Sequence, residues 1–203
     1  MSASIQLRKA TLAQVKHACM KYHYAKRMPP PEVAFACYED KRFVGVIIYG
    51  NPSIPNIAES YNLTNGQVYE LRRVALNGKQ TLPTSKYVAI SLKLLKKRKP
   101  LVKLIVSYAD TAQNHTGTIY RATNWLYVGL MKGSKELKHK TTGKVIHRKS
   151  RHNKDRNDYA YIATGDKHKY VYTFDKDLRR ELESKAISFQ DIEGGAVPTS
   201  TLQ

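Results

Sequence analysis

LVKLIVSYAD at residues 101–110, followed by QNHTGTIYRATNWLYVG at residues 113–129, is the stretch that decides the fold. The apolar run 101–106 predicts a buried strand, which delivers Ser107, Tyr108 and Asp110 to its carboxyl end. In open α/β sheets, ligands bind outside the carboxyl ends of the strands. This group of polar side chains behind a buried strand therefore predicts a ligand site.

Outward from this stretch, hydrophobic periodicity and turn residues predict the remaining elements. In chain order they are strand 5–8, helix 11–24 with the capping box Thr11-Leu-Ala-Gln14, strands 33–38, 43–49 and 68–76, helix 85–99, strand 101–108, helix 116–125, strand 127–130, a final hairpin of strands 159–163 and 170–174, and helix 175–185. Hairpin strands followed by βαβ units predict an α/β fold with a mixed central sheet flanked by helices. This layout is similar to the GNAT acyltransferase fold.

The length of 203 residues fits one domain, expected over residues 1–187 and including a basic excursion at 132–158. Residues 188–203 are rich in Gly, Pro, Ser and Thr, which predicts a disordered tail. Cys19 and Cys37 stand in apolar surroundings and form no CxxC pair, which disfavours a zinc ribbon or finger, and a reducing cytoplasm is expected. The sequence shows neither a signal region nor a run of 18 apolar residues, so no membrane-spanning segment is predicted.

The formal net charge of +19 is concentrated in two segments. Residues 93–103 contain six Lys or Arg and no acid, and residues 132–156 contain ten Lys or Arg against Glu136 and Asp155. Such clusters predict contact with nucleic-acid phosphates; the alternative is a solvated basic surface. The predicted DNA-binding residues are Lys96, Lys97, Arg98, Lys138, Lys140, Arg148, Lys149 and Arg151.

Several candidate site residues have two interpretations each. Asp110 either accepts a proton or hydrogen bond from a substrate amine or caps a turn. Tyr120, one turn into the next helix, either donates a proton or packs. His23, which precedes Tyr24 in a polar loop, is a base, a ligand or a surface residue.

The predicted strand 68–76 carries an unusual amount of charge. Alternation places Glu70 and Arg72 on one face, where they pair with each other or with solvent. It places Arg73 on the other face with Leu71 and Ala75. An Arg among apolar neighbours predicts an internal ion pair or a bound anion.

Motifs that the sequence lacks exclude some activities. There is no glycine fingerprint for a dinucleotide or S-adenosylmethionine and no P-loop. An Asp-Pro-Pro-Tyr adenine methyltransferase motif is also missing. Ordinary DNA methylation is therefore disfavoured.

Several linked motifs over about residues 15–130 resemble the bacteriophage Mom family. They are His23-Tyr24, Arg27-Met28-Pro29, Glu70-Leu71-Arg72-Arg73-Val74-Ala75, Ser107-Tyr108-Ala109-Asp110 and Gly117–Gly129. The resemblance implies a GNAT-like phage enzyme that converts adenine in DNA to N6-carbamoylmethyladenine and so shields the DNA from host restriction. It also implies an iron requirement, with His23 as the candidate ligand. The active-site residues implied are His23, Tyr24, Arg73, Ser107, Asp110 and Tyr120.

The sequence departs from GNAT enzymes in the loop where they hold the CoA pyrophosphate. Residues 77–86 contain one glycine and no Gln/Arg-x-x-Gly-x-Gly/Ala motif, which disfavours acetyl-CoA and leaves the small-molecule donor unknown. Ser85 at the helix start is the candidate anion-binding residue. The expected partner is double-stranded DNA, and a homodimer stays open. The alternatives are a CoA-dependent acyltransferase on a protein or small amine, and a basic DNA-binding protein without catalysis.

Overall fold

The computed structural model describes residues 3–111, 117–133, 135–146 and 156–188. Within these ranges the chain forms β1 (Ile5–Lys9), α1 (Leu12–Lys21), β2 (Val33–Glu39), β3 (Arg42–Gly50), β4 (Val68–Leu76), α2 (Thr84–Arg98), β5 (Leu104–Asp110), α3 (Thr118–Ala122), β6 (Leu126–Met131), β7 (Lys135–His139), β8 (Val145–Ile146), β9 (Tyr159–Ala163), β10 (Lys167–Thr173) and α4 (Lys176–Lys185). The helices in these ranges are too short or too polar to cross a membrane.

Seven strands form one mixed sheet, as predicted, and their order is β1-β2-β3-β4-β5-β10-β6. Neighbouring strands are antiparallel except β4 and β5, which are parallel and pair only where Val68–Glu70 meets Leu104–Val106. Beyond these residues β4 continues to Leu76 and β5 to Asp110, each paired with its other neighbour but not with the other. The two strands therefore diverge, and a gap opens in the middle of the sheet.

Helices cover both faces of this sheet. On one face Ile47 packs in a cluster with Tyr87 of α2. On the other face Ile48 packs with Cys19 of α1, and α4 contributes Leu182 to a neighbouring cluster. Ile47 and Ile48 are fully buried, and each such side chain contributes about 1.5–3 kcal/mol relative to an exposed one. The core thus holds both sides of the gap in place.

The first helix places the loop that follows it. The predicted capping box is present: Thr11 Oγ1 accepts the Gln14 N–H at 3.3 Å, and Gln14 Oε1 accepts the Thr11 N–H at 2.9 Å. The helix ends at Lys21, earlier than predicted. His23 and Tyr24 therefore lie in the loop and not on the helix.

Replacing Thr11 by alanine is expected to lower the free energy of unfolding by about 1 kcal/mol, because an N-cap hydroxyl satisfies an otherwise unpaired helix N–H. Urea unfolding followed by circular dichroism measures the change. Lys16→Ala on the exposed face of the same helix is the control and should change stability much less. Equal losses in the two variants would contradict a stabilising role for the capping box.

The predicted final hairpin is wrong. β9 pairs with β7, whereas β10 lies between β5 and β6 in the central sheet. The intervening Asp166 is bonded to distant segments: its carbonyl accepts the Thr111 N–H at 3.1 Å, and its Oδ1 accepts the Gly133 N–H at 2.8 Å. The predicted strands 159–163 and 170–174 consist mainly of aromatic and aliphatic residues, so the sequence pattern did not distinguish pairing with each other from long-range pairing.

The third helix is shorter than the predicted span 116–125, and residue 116 lies outside the described ranges. Thr123 Oγ1 donates to the Ile119 carbonyl at 2.7 Å, which competes with continuation of the helix. Asn124 then adopts a left-handed φ of 61°. This conformation ends the helix and sends the chain into β6.

β7 and β8 of the basic excursion form a second, three-stranded antiparallel sheet together with β9, in the order β8-β7-β9. Lys138 and Lys140 belong to the described part of the excursion and are exposed. Predicted residues Arg148, Lys149 and Arg151 lie outside the described residues, as does 189–203 of the predicted tail.

Candidate active site

A cavity of about 450 Å³ opens where β4 and β5 diverge. Its walls come from the loop after α1, from β4, from the loop before α2, from β5 and from the start of α3. The lining residues include His23, Tyr24, Arg73, Gly78, Gln80, Thr84, Ser107, Tyr108, Ala109, Gly117 and Tyr120. Five of the six predicted catalytic residues therefore meet in one cavity. The sixth, Asp110, directly follows the lining residue Ala109.

Ser107 and Tyr120 form one hydrogen-bonded pair on the cavity wall. Ser107 Oγ donates to the Leu71 carbonyl across the diverging strands at 3.1 Å. Its proton is thereby used, so the Tyr120 hydroxyl, 2.8 Å away, is the donor to Ser107 Oγ. Burial raises the pKa of Tyr120, although the hydrogen bond to Ser107 opposes the shift. Tyr120 is therefore a neutral phenol at physiological pH.

The Tyr120 ring is held by packing. It stacks on Tyr170 with centroids 4.2 Å apart and planes 11° apart. Gly117, just before α3, has a φ of 77°, and a Cβ there would come within 2.2 Å of the Tyr170 hydroxyl. Only glycine fits this position, which lets α3 approach Tyr170 closely enough for Tyr120 to stack.

His23 and Tyr24 form the side of the cavity next to α1. Their rings lie 4.3 Å apart at 31°. His23 Nδ1 accepts the Ala25 N–H at 3.1 Å, which in a neutral imidazole leaves the proton on Nε2. In this tautomer His23 is a hydrogen-bond donor, which disfavours the predicted roles of base and metal ligand.

Charged side chains around the cavity mouth affect the pKa of Tyr24. Its side chain is about half exposed. Burial raises the pKa of Tyr24, the negative charge of Asp110 raises it further, and the cations Arg73 and Arg27 oppose both. Asp110 is thus one of the charges that act on Tyr24, and its role as a base stays a prediction.

Arg73 lies on a different face from that predicted. Arg73 is opposite Ile48 whereas Leu71 is opposite Tyr49, so Arg72 is the extra residue of a β-bulge. The bulge reverses the alternation: Leu71 packs on the α2 face and Ala75 on the α1 face. Arg73 therefore shares the α1 face with Ala75 but not with Leu71.

The charged neighbours of the bulge do not pair with each other. Arg72 Nε donates to the Asn51 carbonyl at 3.1 Å, and Glu70 Oε2 accepts the Ser53 N–H at 2.6 Å. The predicted alternative of a Glu70–Arg72 ion pair is therefore wrong.

The Arg73 guanidinium is poorly satisfied by the protein. Nη1 donates to the Arg72 carbonyl at 2.8 Å, while Nε is buried and has no hydrogen-bond partner among the described residues. Burial lowers the pKa of Arg73, and the group forms no ion pair within the described ranges. A buried guanidinium that donates few hydrogen bonds to the protein is suited to bind an anionic or carbonyl oxygen of a ligand in the cavity.

A buried carboxylate that sequence reasoning missed holds the loop before α2. Glu39 is 1% exposed and accepts hydrogen bonds from the Thr81 N–H and hydroxyl, the Leu82 N–H and the Tyr87 hydroxyl. The hydrogen bonds from Thr81 and Tyr87 lower the pKa of Glu39 to about 2 against the opposing effect of burial. Glu39 thus fixes the loop that carries Gln80 to the cavity.

The hydrogen bonds of Glu39 and the residues that line the cavity affect whether it can bind CoA or iron, the cofactors that the fold and the resemblance imply. The Thr81 and Leu82 N–H groups are engaged by Glu39, and Pro83 has no N–H, so this loop does not offer those donors to a pyrophosphate. Thr84 lines the cavity, whereas the predicted Ser85 does not. Within the described ranges, no group of three His, Cys, Asp or Glu side chains could hold a metal ion, so the implied iron lacks a ligand set there.

The predicted DNA-binding residues differ in their surroundings. Lys96 Nζ donates to the carbonyls of Pro100 at 2.7 Å and Val102 at 2.9 Å, so it closes the turn after α2. Lys97 and Arg98 are exposed, as are the two described lysines of the basic excursion.

Comparison with solved structures identifies the fold. The chain is similar to a ribosomal-protein-alanine N-acetyltransferase from Brucella melitensis (13% identity, TM-score 0.51, 83% of this chain and 99% of that chain). It is also similar to a putative phosphinothricin N-acetyltransferase (9%, 0.53, 85% and 100%) and to a GNAT-family acetyltransferase from Bacillus anthracis (11%, 0.51, 83% and 94%). At these identities the likeness establishes the GNAT fold alone.

The sequence assigns the chain to a particular protein family. A profile of the Mom protein family matches residues 4–191, and the chain belongs to that family. A search of curated proteins gave no match.

Proposed function

We propose that this protein transfers a carbamoylmethyl group to the N6 amine of adenine in DNA, a modification that protects phage DNA from host restriction. The observation that carries the proposal is the convergence of His23, Tyr24, Arg73, Ser107 and Tyr120 on one cavity. Membership of the Mom family and the net charge of +19 support DNA as the substrate.

Asp110, Arg73 and the Ser107–Tyr120 pair have roles that their surroundings suit. The N6 amine is a poor nucleophile because its lone pair is delocalised into the ring, so a base must remove a proton as the N–C bond forms. Asp110, at the cavity mouth, accepts that proton. Arg73 holds an oxygen of the donor, whose identity is open. The neutral Tyr120 phenol, oriented by Ser107 and Tyr170, stabilises charge that develops on the leaving group.

Adenine in a duplex is out of reach of such a cavity. The base must therefore be turned out of the stack, at a cost of a few kcal/mol. In this proposal the half-exposed ring of Tyr24 stacks on the extruded base. The exposed cations Lys97, Arg98 and Lys138 would neutralise phosphates and position the duplex.

Mass spectrometry of nucleosides tests the proposal directly. DNA from cells that express the protein is expected to contain deoxyadenosine in which a carbamoylmethyl group replaces one N6 hydrogen. DNA from cells with the empty vector is the control. Unmodified deoxyadenosine in both samples, with folded protein present, would contradict the proposal and leave a basic DNA-binding protein.

The GNAT fold favours a second candidate, CoA-dependent acyl transfer to a protein or small amine. This candidate predicts that acetyl-CoA raises the melting temperature, since a ligand that binds only the folded state stabilises it. It also predicts unmodified DNA in the nucleoside assay.

A further inference from the structure

A second cavity, of about 730 Å³, lies apart from the candidate active site. It is formed by Tyr69 near the start of β4, by the loop after β3 and by the segment from the end of α2 to Val102, just before β5. Tyr69 precedes Arg73 by four residues on β4, which at about 3.3 Å per residue separates them by roughly 13 Å. The two cavities share no lining residue. A volume in this range fits a small ligand.

Three groups form a fixed, electrically neutral wall of this cavity. Glu32 accepts hydrogen bonds from Lys99 Nζ at 2.8 Å and from the Tyr69 hydroxyl, and Lys99 Nζ lies 5.6 Å from the Tyr69 ring centroid. Burial pushes the pKa of Glu32 up, but the bonds from Lys99 and Tyr69 outweigh it and lower that pKa. The same bond to Glu32 raises the pKa of Lys99 to about 12. The two charges therefore cancel at neutral pH.

Arg98 supplies the excess charge of this cavity. It is exposed, lines the cavity and forms no ion pair within the described ranges. Its neighbour Lys97 is also exposed. Because the Glu32–Lys99 pair is already neutral, the cavity as a whole is cationic and attracts an anion.

The remaining walls combine amide groups with apolar surface. Asn51, Asn56 and Asn65 are exposed, and their side-chain amides make no hydrogen bond within the described part of the chain. Leu101 is 76% exposed beside them. Carboxamides can donate to and accept from base edges, and an exposed Leu side chain offers an apolar surface for a ring.

We propose that this cavity binds a nucleotide unit, with its phosphate on Arg98 and its base against Leu101 within reach of the asparagine amides. The nucleotide is either part of the DNA beside the target or a free molecule; both present the same chemistry. The proposal does not depend on the reaction proposed for the other cavity.

Thymidine 5′-monophosphate is the probe, because its base has no exocyclic amine and is not a substrate for adenine modification. Isothermal titration of the full-length protein is expected to show binding that Arg98→Ala weakens about tenfold, since one charge-assisted contact is lost. Lys93→Ala removes an equal charge from the exposed face of the same helix outside the cavity and should leave the affinity unchanged. Equal weakening by both variants, or no binding by the wild type at millimolar nucleotide, would overturn the proposal.

Two further arms locate the site and identify the source of the nucleotide. Arg73→Ala alters the other cavity and should leave thymidylate binding unchanged; loss of binding in that variant would place the nucleotide there and overturn the proposal. A short duplex that displaces thymidylate from the wild-type protein identifies DNA as the source. Simultaneous binding of duplex and thymidylate identifies a free nucleotide. Each of these two results supports the proposal.

Discussion

An Asp110→Asn variant is expected to bind duplex DNA as the wild type does but to modify adenine at least about 100-fold less, because an amide cannot take a proton from the N6 amine. Asparagine keeps nearly the shape of aspartate, and Asp110 lies at the end of β5 opposite Lys167 of β10. The strand pairing should therefore survive the change. Nucleoside mass spectrometry measures the modification, and fluorescence anisotropy with a labelled duplex measures binding.

Asp177→Asn is a matched control for this variant. Asp177 is an exposed residue of α4 paired with Arg180, so the same chemical change there should leave modification intact. Wild-type levels of modification in Asp110→Asn would remove Asp110 from the reaction. A parallel loss of modification and duplex binding would assign Asp110 to DNA contact and contradict its role as a base.

Local sequence patterns predicted much of the fold and singled out several residues that line the cavity. The apolar run before Ser107 identified β5, and the helical period with its capping box identified α1, although its end was predicted near Tyr24 instead of at Lys21. Each of these signals lies within about a dozen residues. The convergence of these residues on one cavity then followed from the resemblance to a known family and not from pattern alone.

The features that sequence reasoning missed depend on distant contacts. β10 inserts between β5 and β6, and nothing near residues 167–173 distinguishes that place from pairing with β9. The bulge at Arg72 is set by the pairing of β4 with β3, so the face of Arg73 was predicted incorrectly relative to Leu71. Simple alternation along a strand cannot reveal an extra residue that only the partner strand defines.

Glu39 is the clearest case of such a contact. Its partners Thr81 and Tyr87 are 42 and 48 residues away in sequence. At the end of a strand and before a turn, a glutamate is ordinarily solvated. Here it is buried and holds the loop that forms one wall of the candidate active site.

Glu39→Gln is expected to destabilise the protein strongly at neutral pH and to remove part of its acid sensitivity. The hydrogen bonds to Glu39 lower its pKa from the ordinary value of 4.5 to about 2 in the folded protein. The carboxylate therefore stabilises the fold fully above about pH 4.5, and this contribution is lost as the pH falls towards 2.

Urea unfolding between pH 2 and 7 should show this loss in the wild type and not in Glu39→Gln. Glu59→Gln, at an exposed position, is the control that should keep the wild-type profile. Parallel profiles for the wild type and Glu39→Gln would contradict the assignment. Because the loop before α2 depends on this carboxylate, adenine modification should also fall in Glu39→Gln under conditions where the variant remains folded.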